Sequence, residues 1–293
     1  MDQKLRVPLP PDPNPTKPHI TLPPGTCDTH FHVMGPPQVF PFVETRLYTP
    51  PAAPIEHWFG MAKAVGIERG VMVVPAVHGF DNAPMHDAIA KAEGRLVGMI
   101  RANPALTEAD NKKLQREGVR GIRFNFRPEL GGAFDRDEMH LVIARLGSLP
   151  WAVDFHIEAD LLVENAELIA RVDKPVIIDH FGNCDPAKGV DQPAFRVLLD
   201  LVARPNIYVK ISSLDRYLYA GKKYEDVCTL ARALTSRAPD RIIWGTDWPH
   251  AYVYRHGQMV NDGELVSWLA DLVPDAALRH KVLVDNPARL FFA

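Results

Sequence analysis

Three cysteines in a chain of 293 residues, Cys27, Cys184 and Cys228, are too few and too irregularly spaced for a disulfide framework. That usage fits a reducing compartment, so a cytoplasmic location is expected. No apolar run approaches the roughly 18 residues of a membrane span, so no membrane partner is expected. Positive charge is not in excess: 33 Lys and Arg face 36 Asp and Glu, a net charge of −3. A nucleic-acid partner is therefore not expected either. Affinity for a small anionic substrate must come from a local cluster of cations. The opening stretch, "MDQKLRVPLPPDPNPTKPHI", lacks the apolar segment of a secretory signal. It is rich in proline, which supports neither a helix interior nor a strand ladder. Residues 1–22 are expected to form an extended surface arm, and residues 23–293 a single domain.

Hydrophobic residues make up 46% of the chain, enough for one large core. Short β-rich runs recur eight times, at 26–33, 70–76, 95–102, 119–126, 151–157, 175–180, 207–213 and 241–248. Segments such as "PIEHWFGMAKAVGI" and "PAFRVLLDLVARP" lie between them and place apolar residues at three- and four-residue spacing, as amphipathic helices do. Strand alternating with helix means parallel pairing through right-handed crossovers. Eight such units predict an α/β fold, a (β/α)8 TIM barrel. A doubly wound open sheet is the runner-up, but it wants a glycine-rich phosphate loop after its first strand. Here that strand runs into "HFHVMGPP". The final "NPARLFF" reads as a closing amphipathic helix packed on the barrel.

The C-terminal ends of barrel strands carry chemistry, and polar residues gather at the downstream ends of these runs. The first has His30 and His32, which share one face because strand side chains alternate. The fourth has Arg123 and Asn125, the fifth Asp154 and His156, the sixth Asp179 and His180, and the eighth Asp247. His78 and Asp81 follow the second run; Asp215, Arg216 and Tyr217 follow the seventh.

Two readings of this cluster stand side by side. In one, His30, His32, His156 and Asp247 hold a divalent ion, zinc or manganese, with His180 beside it. In the other there is no metal: the histidines meet the substrate directly, and Asp247 is the general base that activates water. Arg123 and Arg216 are shaped to bind a substrate carboxylate, or else to pair with barrel carboxylates such as Asp154 or Asp215. His78, Asn125, His156 and Tyr48 are further candidates for the substrate pocket, although loop tyrosines often only pack. The oligomeric state is left open by the pattern.

The stretches "DTHFHVMGP", "HGFDNA", "GVRGIRFNF", "IEAD", "IIDHFG" and "RIIWGTDWPH" together resemble the amidohydrolase superfamily. More narrowly, they are similar to its branch of 2-pyrone-4,6-dicarboxylate lactonases and related sugar-lactone hydrolases. The resemblance runs from about residue 20 to the C-terminus. It implies a distorted (β/α)8 barrel that hydrolyses a small carboxylated lactone in aromatic or sugar-acid catabolism. It further implies Asp247 as general base, with His30, His32 and His180 polarising the ring carbonyl or holding the substrate. Arg123 and Arg216 would bind its carboxylates, and no metal would be needed. The chain departs from that branch at Glu129 and Asn183, where it has arginines, and at His156, where it has tyrosine. The two lost arginines weaken the match to a doubly anionic pyrone. His156 instead resembles the ligand pattern of metal-dependent non-oxidative decarboxylases acting on aromatic or unsaturated acids, the alternative activity. A binding protein on an inherited barrel, without turnover, is the third reading.

Overall fold

The eight apolar runs become eight strands, each bounded by the turn residues that flank it in the sequence. They are β1 (Cys27–Phe31), β2 (Arg69–Val73), β3 (Leu96–Arg101), β4 (Val119–Asn125), β5 (Ala152–His156), β6 (Val176–Ile178), β7 (Ile207–Ser212) and β8 (Ile242–Gly245). The computed structural model describes residues 5–127 and 135–293. The strands pair in parallel in the order of the chain, β1 to β8. The fold is thus a (β/α)8 TIM barrel, as the sequence predicts.

The ring closes where β1 meets β8. The Asp247 N–H donates to the His30 carbonyl at 2.8 Å, and the His32 N–H to the Trp248 carbonyl at 2.8 Å. The Thr29 hydroxyl donates to the Trp244 carbonyl at 2.8 Å. Asp28, fully buried, accepts from the Thr246 N–H, the Thr246 hydroxyl and the Trp58 indole, tying the seam to the outer layer. Gly245 permits the close approach: a Cβ there would lie 2.6 Å from the backbone nitrogen of His30.

The helices on the outside follow the periodicity. Pro193–Val202 starts with proline at its first position, where the missing N–H costs nothing. It turns Ala194, Phe195, Leu198, Leu201 and Val202 inward, a spacing of three and four residues. Truncating the fully buried Phe195 to alanine would cost about 3–5 kcal/mol. Ile55–Val65 stops at Gly66, whose φ of +90° few side chains accept.

Inside the ring a second apolar cluster joins Val71, Val73, Met99 and Ile177 to Leu290 and Phe291. The "NPARLFF" segment therefore plugs the lower end of the barrel, leaving the upper end, where the strands terminate, for polar groups. The proline-rich arm lies along the segment after β8. The Leu9 N–H donates to the Val253 carbonyl at 2.7 Å, and the Thr16 hydroxyl to Asn261 at 2.9 Å.

Candidate active site

A cavity of about 120 Å³ sits at the upper end of the barrel. Among its lining residues are Asp247, His32, His156, His180, Arg123, Arg216, Asn125 and Tyr48. Three of the strand ends that build it finish in the left-handed region. His180 has φ +48°, Ser213 +57° and Asp247 +60°. Non-glycine residues adopt this conformation at a cost of order 1–3 kcal/mol, and sites of chemistry are where such strain concentrates.

The floor beneath the cavity is a network of fully buried charge. Lys210, in the middle of β7, places its ammonium 3.0 Å from Asp154, 2.7 Å from Asp179 and 2.9 Å from the Nδ1 of His30. Arg123 reaches the other side of Asp179, with Nη2 at 2.6 Å and Nε at 2.8 Å from Oδ2. Burial pushes Asp179 up, but Lys210 and Arg123 outweigh it and hold the carboxyl well below its ordinary value. Asp154 pairs with Lys210 alone among the described residues, and burial with the neighbouring Asp179 charge pushes it up to about 7. Burial, reinforced by the Lys210 charge, lowers His30 to about 3, so its ring is neutral.

Asp247 stands above this floor. Its Oδ2 accepts from the Ser213 hydroxyl at 2.5 Å and from Arg216 at 2.8 Å. Its Oδ1 faces the Nε2 of His30 at 3.5 Å and the Nε2 of His32 at 3.4 Å. Burial opposes its ionisation, but His180, Arg216 and His32 more than offset this and hold its pKa well below the carboxylate range. Burial also holds His180 well below the ordinary histidine value. The Nδ1 of His180 lies 2.7 Å from the Ser212 hydroxyl and 3.0 Å from that of Ser213.

His30, His32, His180, Asp247, Arg123, Arg216, Asn125, His156 and Tyr48 thus meet at one end of the barrel, but not all in the expected arrangement. Arg123 and Arg216 are ion-paired, with Asp179 and Asp247 rather than with Asp154 or Asp215. His156 packs edge-on against His180, ring centroids 5.1 Å apart, and both its ring nitrogens are buried without a hydrogen bond. Among the described residues, the groups whose ligand atoms all lie within 4.8 Å of one another are His30–His180–Asp247 and His30–Asp154–Asp179. His32 and His156 fall outside both. Lys210 and Arg123 already pair with the carboxylates of the second group. His78 lies outside the lining of the cavity. It accepts from the Gly35 N–H at 3.2 Å and faces the Pro41 carbonyl at 3.2 Å, fixing the loop after β1. Arg127 bonds to Asn183 at 3.1 Å and to Glu158 at 2.6 Å. The departure at Glu129 lies outside the described residues.

Sequence reasoning missed Lys210, Ser213, Arg101, Tyr252 and Tyr254. Lys210 had a signal: "IYVKIS" sets one lysine inside an otherwise apolar strand, where lysine is almost never buried unless paired. Arg101 ends β3, the same position that marks the other site residues. The tyrosines come from the long segment after β8, whose path toward the cavity no periodicity announces.

Comparison with known proteins converges on one family. A family model described as amidohydrolase matches residues 27–293. A 4-sulfomuconolactone hydrolase of Rhizobium radiobacter is 43% identical, with 93% of this chain and 91% of that protein aligned. A 2-pyrone-4,6-dicarboxylate hydrolase of Comamonas testosteroni is 36% identical over 95% of this chain and 94% of its own. Among solved structures, an apo protein from Agrobacterium tumefaciens superposes with a TM-score of 0.84 at 26% identity, covering 96% of this chain and 99% of that one.

Proposed function

The chain belongs to the amidohydrolase family, and from that premise we propose that it hydrolyses a small anionic lactone, opening the ring ester with water activated by Asp247. The observation that carries this reading is the asymmetry of the Asp247 carboxylate. One oxygen is fully engaged by Ser213 and Arg216; the other faces the pocket between two imidazoles. A carboxylate held ionised, with a free edge in a lined cavity, is a base for a water molecule.

The steps follow from those contacts. Water beside Oδ1 gives a proton to Asp247 as its oxygen bonds to the ring carbonyl carbon. The negative charge that develops on the carbonyl oxygen is met by the N–H of His30, since the neutral His32 ring spends its own on the Val73 carbonyl. With Lys210 donating to its Nδ1, the neutral His30 ring would carry its proton on Nε2, on the side of Asp247. Collapse of the tetrahedral intermediate breaks the ring C–O bond. The leaving oxygen recovers the proton from Asp247, and a carboxylic acid and a hydroxyl, or its keto tautomer, result. The Arg123 and Arg216 guanidiniums face the same cavity and share their charge with a substrate carboxylate.

The donor set of His30, His180 and Asp247 also fits a divalent ion such as zinc or manganese. Two of its members are neutral imidazoles, the third is an ionised carboxylate, and the buried Nε2 of His30 has no hydrogen-bond partner. A bound ion would supply carbonyl polarisation and a more acidic water. The proton on His30 separates the two readings. Nδ1 lies near both Lys210 and the Oδ1 of Asp179, which is 3.3 Å away. With Asp179 accepting, Nε2 would offer a lone pair to a cation instead.

The test is acid release from 4-sulfomuconolactone and 2-pyrone-4,6-dicarboxylate, followed in a pH-stat before and after exhaustive chelation. Asp247→Asn should lower turnover by about 10²–10⁴-fold. Near wild-type turnover in that variant would end the role of Asp247. Carbon dioxide release from an aromatic acid, with no lactone opened, would favour the decarboxylase. That reading has His156 joining His30, His32 and Asp247 around an ion.

A further inference from the structure

Beside the cavity stands a buried cluster of ionisable groups that takes no part in the steps above. It is built from the two segments that carry Arg216 and Asp247. Asp215 and Arg216 lie in the first turn of the helix Leu214–Tyr219, which follows β7. Asp247, His250 and Tyr252 belong to the stretch after β8, where Asp247 and His250 both have φ +60°. The Asp247 carbonyl accepts from the His250 N–H at 3.0 Å, and the His250 carbonyl from the Val253 N–H at 3.1 Å. These turns bring Tyr252 back to Asp215, whose Oδ2 accepts from the phenol O–H. The same oxygen lies 3.0 Å from the Nδ1 of His250, and the Nε2 of His250 lies 3.2 Å from Asp262. Asp215, His250 and Asp262 are all buried.

Tyr252 carries this cluster to the cavity wall, which it lines together with Arg216 and Asp247. The face of its ring receives the Arg216 guanidinium, whose central carbon lies 4.6 Å from the ring centroid. Little else fixes that long side chain. Among the described residues its hydrogen bond is the one from Nη2 to Asp247, and its buried Nε has none. A phenol that donates to a carboxylate gains negative charge on its own ring face, so a cation stacked there is held more firmly. Asp215, next to Arg216 in sequence, would otherwise compete for the guanidinium. Its Oδ2 is committed to Tyr252 and faced by His250, and Arg216 turns to Asp247 instead.

Resting on the lactonase reading for its catalytic consequence, we propose that Tyr252 is a positioning residue that acts through Arg216. Anchored by its hydroxyl to Asp215, it holds the guanidinium on its ring face and keeps it on the Oδ2 of Asp247. That arrangement leaves Oδ1 toward the pocket. His250 and Asp262 back the anchor by holding Asp215 in place. Without the anchor the ring is free to turn, Arg216 can follow it toward Asp215, and the base loses its fixed edge. Small misplacements of this kind cost rate steeply.

Nuclear magnetic resonance of protein grown on isotope-labelled arginine reads the contact without any substrate. The Nε–H signal of Arg216, identified by its loss in Arg216→Lys, should be displaced upfield by the ring current of Tyr252. It should return to the ordinary position in Tyr252→Leu, which removes the ring, and move part of the way in Tyr252→Phe, which removes only the anchor. A signal unmoved in Tyr252→Leu would overturn the proposal. Turnover of 2-pyrone-4,6-dicarboxylate then tests the consequence. Tyr252→Phe should lower kcat/KM by about ten- to a hundredfold. In the Arg216→Lys background the same substitution should cost less than about twofold, because its route to Asp247 is already cut. An equal loss in both backgrounds overturns the positioning role, since Tyr252 would then act by another route. A chain that shows the ring-current shift yet opens no lactone sinks the lactonase reading and leaves the Tyr252–Arg216 contact standing. One that opens the lactone with additive losses sinks the positioning role alone.

Discussion

The floor of the pocket and its rim handle charge in opposite ways. On the floor, Lys210, Asp154, Asp179 and His30 are wholly buried, and Lys210 contacts the other three. At the rim, Arg101 and Arg46 are partly exposed and touch no carboxylate among the described residues. Burial explains the difference. An unpaired charge out of water costs several kcal/mol, so a floor can exist only if it is internally matched. A rim charge keeps some water and tolerates the lack of a partner until a ligand arrives. Fixed geometry on the floor therefore suits the chemical step. Unspent charge at the rim suits the choice of substrate.

Breaking the floor should give the largest effect on stability. Lys210→Met removes the one ammonium between two buried carboxylates and leaves Asp154 without its close cation. Loss of one partner from a buried ionic cluster costs about 3–5 kcal/mol. Urea unfolding should show that loss as a lower midpoint with an unchanged slope. A variant within 1 kcal/mol of wild type would mean that the two aspartates share a proton and need no lysine.

A second buried ionic cluster, beside the cavity wall, should give a smaller effect that depends on pH. His250 lies between Asp215 at 3.0 Å and Asp262 at 3.2 Å, and Asp215 also accepts from Tyr252, which lines the cavity. Burial disfavours the imidazolium, but Asp215 and Asp262 outweigh it and raise its pKa well above the ordinary value. A raised pKa means that folding favours the proton. The stabilisation is therefore complete below the unfolded value of about 6.5 and is lost as pH rises through the folded value. The stability gap between wild type and His250→Gln should be about 1.5–3 kcal/mol at pH 6, the worth of a charged hydrogen bond. It should narrow steadily in more alkaline solution. A gap that widens with pH would mean that His250 is neutral in the fold.

The contrast between floor and rim also explains what the sequence revealed. Alternation of apolar runs with helical spacing predicts all eight strands, because barrel strands are buried on both faces and read as continuous hydrophobic stretches. The rule that chemistry sits at downstream strand ends brings Asp247, His180 and Arg123 to one cavity, with His30 just beneath it. It cannot say how those charges pair, because pairing depends on distances around the closed ring. Hence Arg123 meets Asp179 from two strands away, and His156 packs against His180 outside the expected ligand set. His78 looks like a site residue in sequence, yet its ring is spent on loop backbone. Tyr252 and Tyr254 reach the cavity from an irregular segment with no pattern to read.

The smallest expected effect is the sharpest test of the comparison. If Arg101 serves a ligand rather than the fold, it contributes nothing favourable to the free chain. It stands beside Arg123 on the neighbouring strand, and like charges on adjacent positions repel. Arg101→Gln should therefore leave stability unchanged within about 0.5 kcal/mol, or raise it slightly. Any repulsion relieved by the substitution should reappear as ligand-dependent stabilisation in the wild type. Saturating isophthalate, an aromatic carboxylate with no ester to open, should thus raise the unfolding midpoint of the wild type more than that of Arg101→Gln, by mass action on the native state. A loss above 1 kcal/mol in Arg101→Gln without ligand would make Arg101 part of the scaffold. The rim would then be built on the same principle as the floor, and its unmatched charge would no longer point to a substrate.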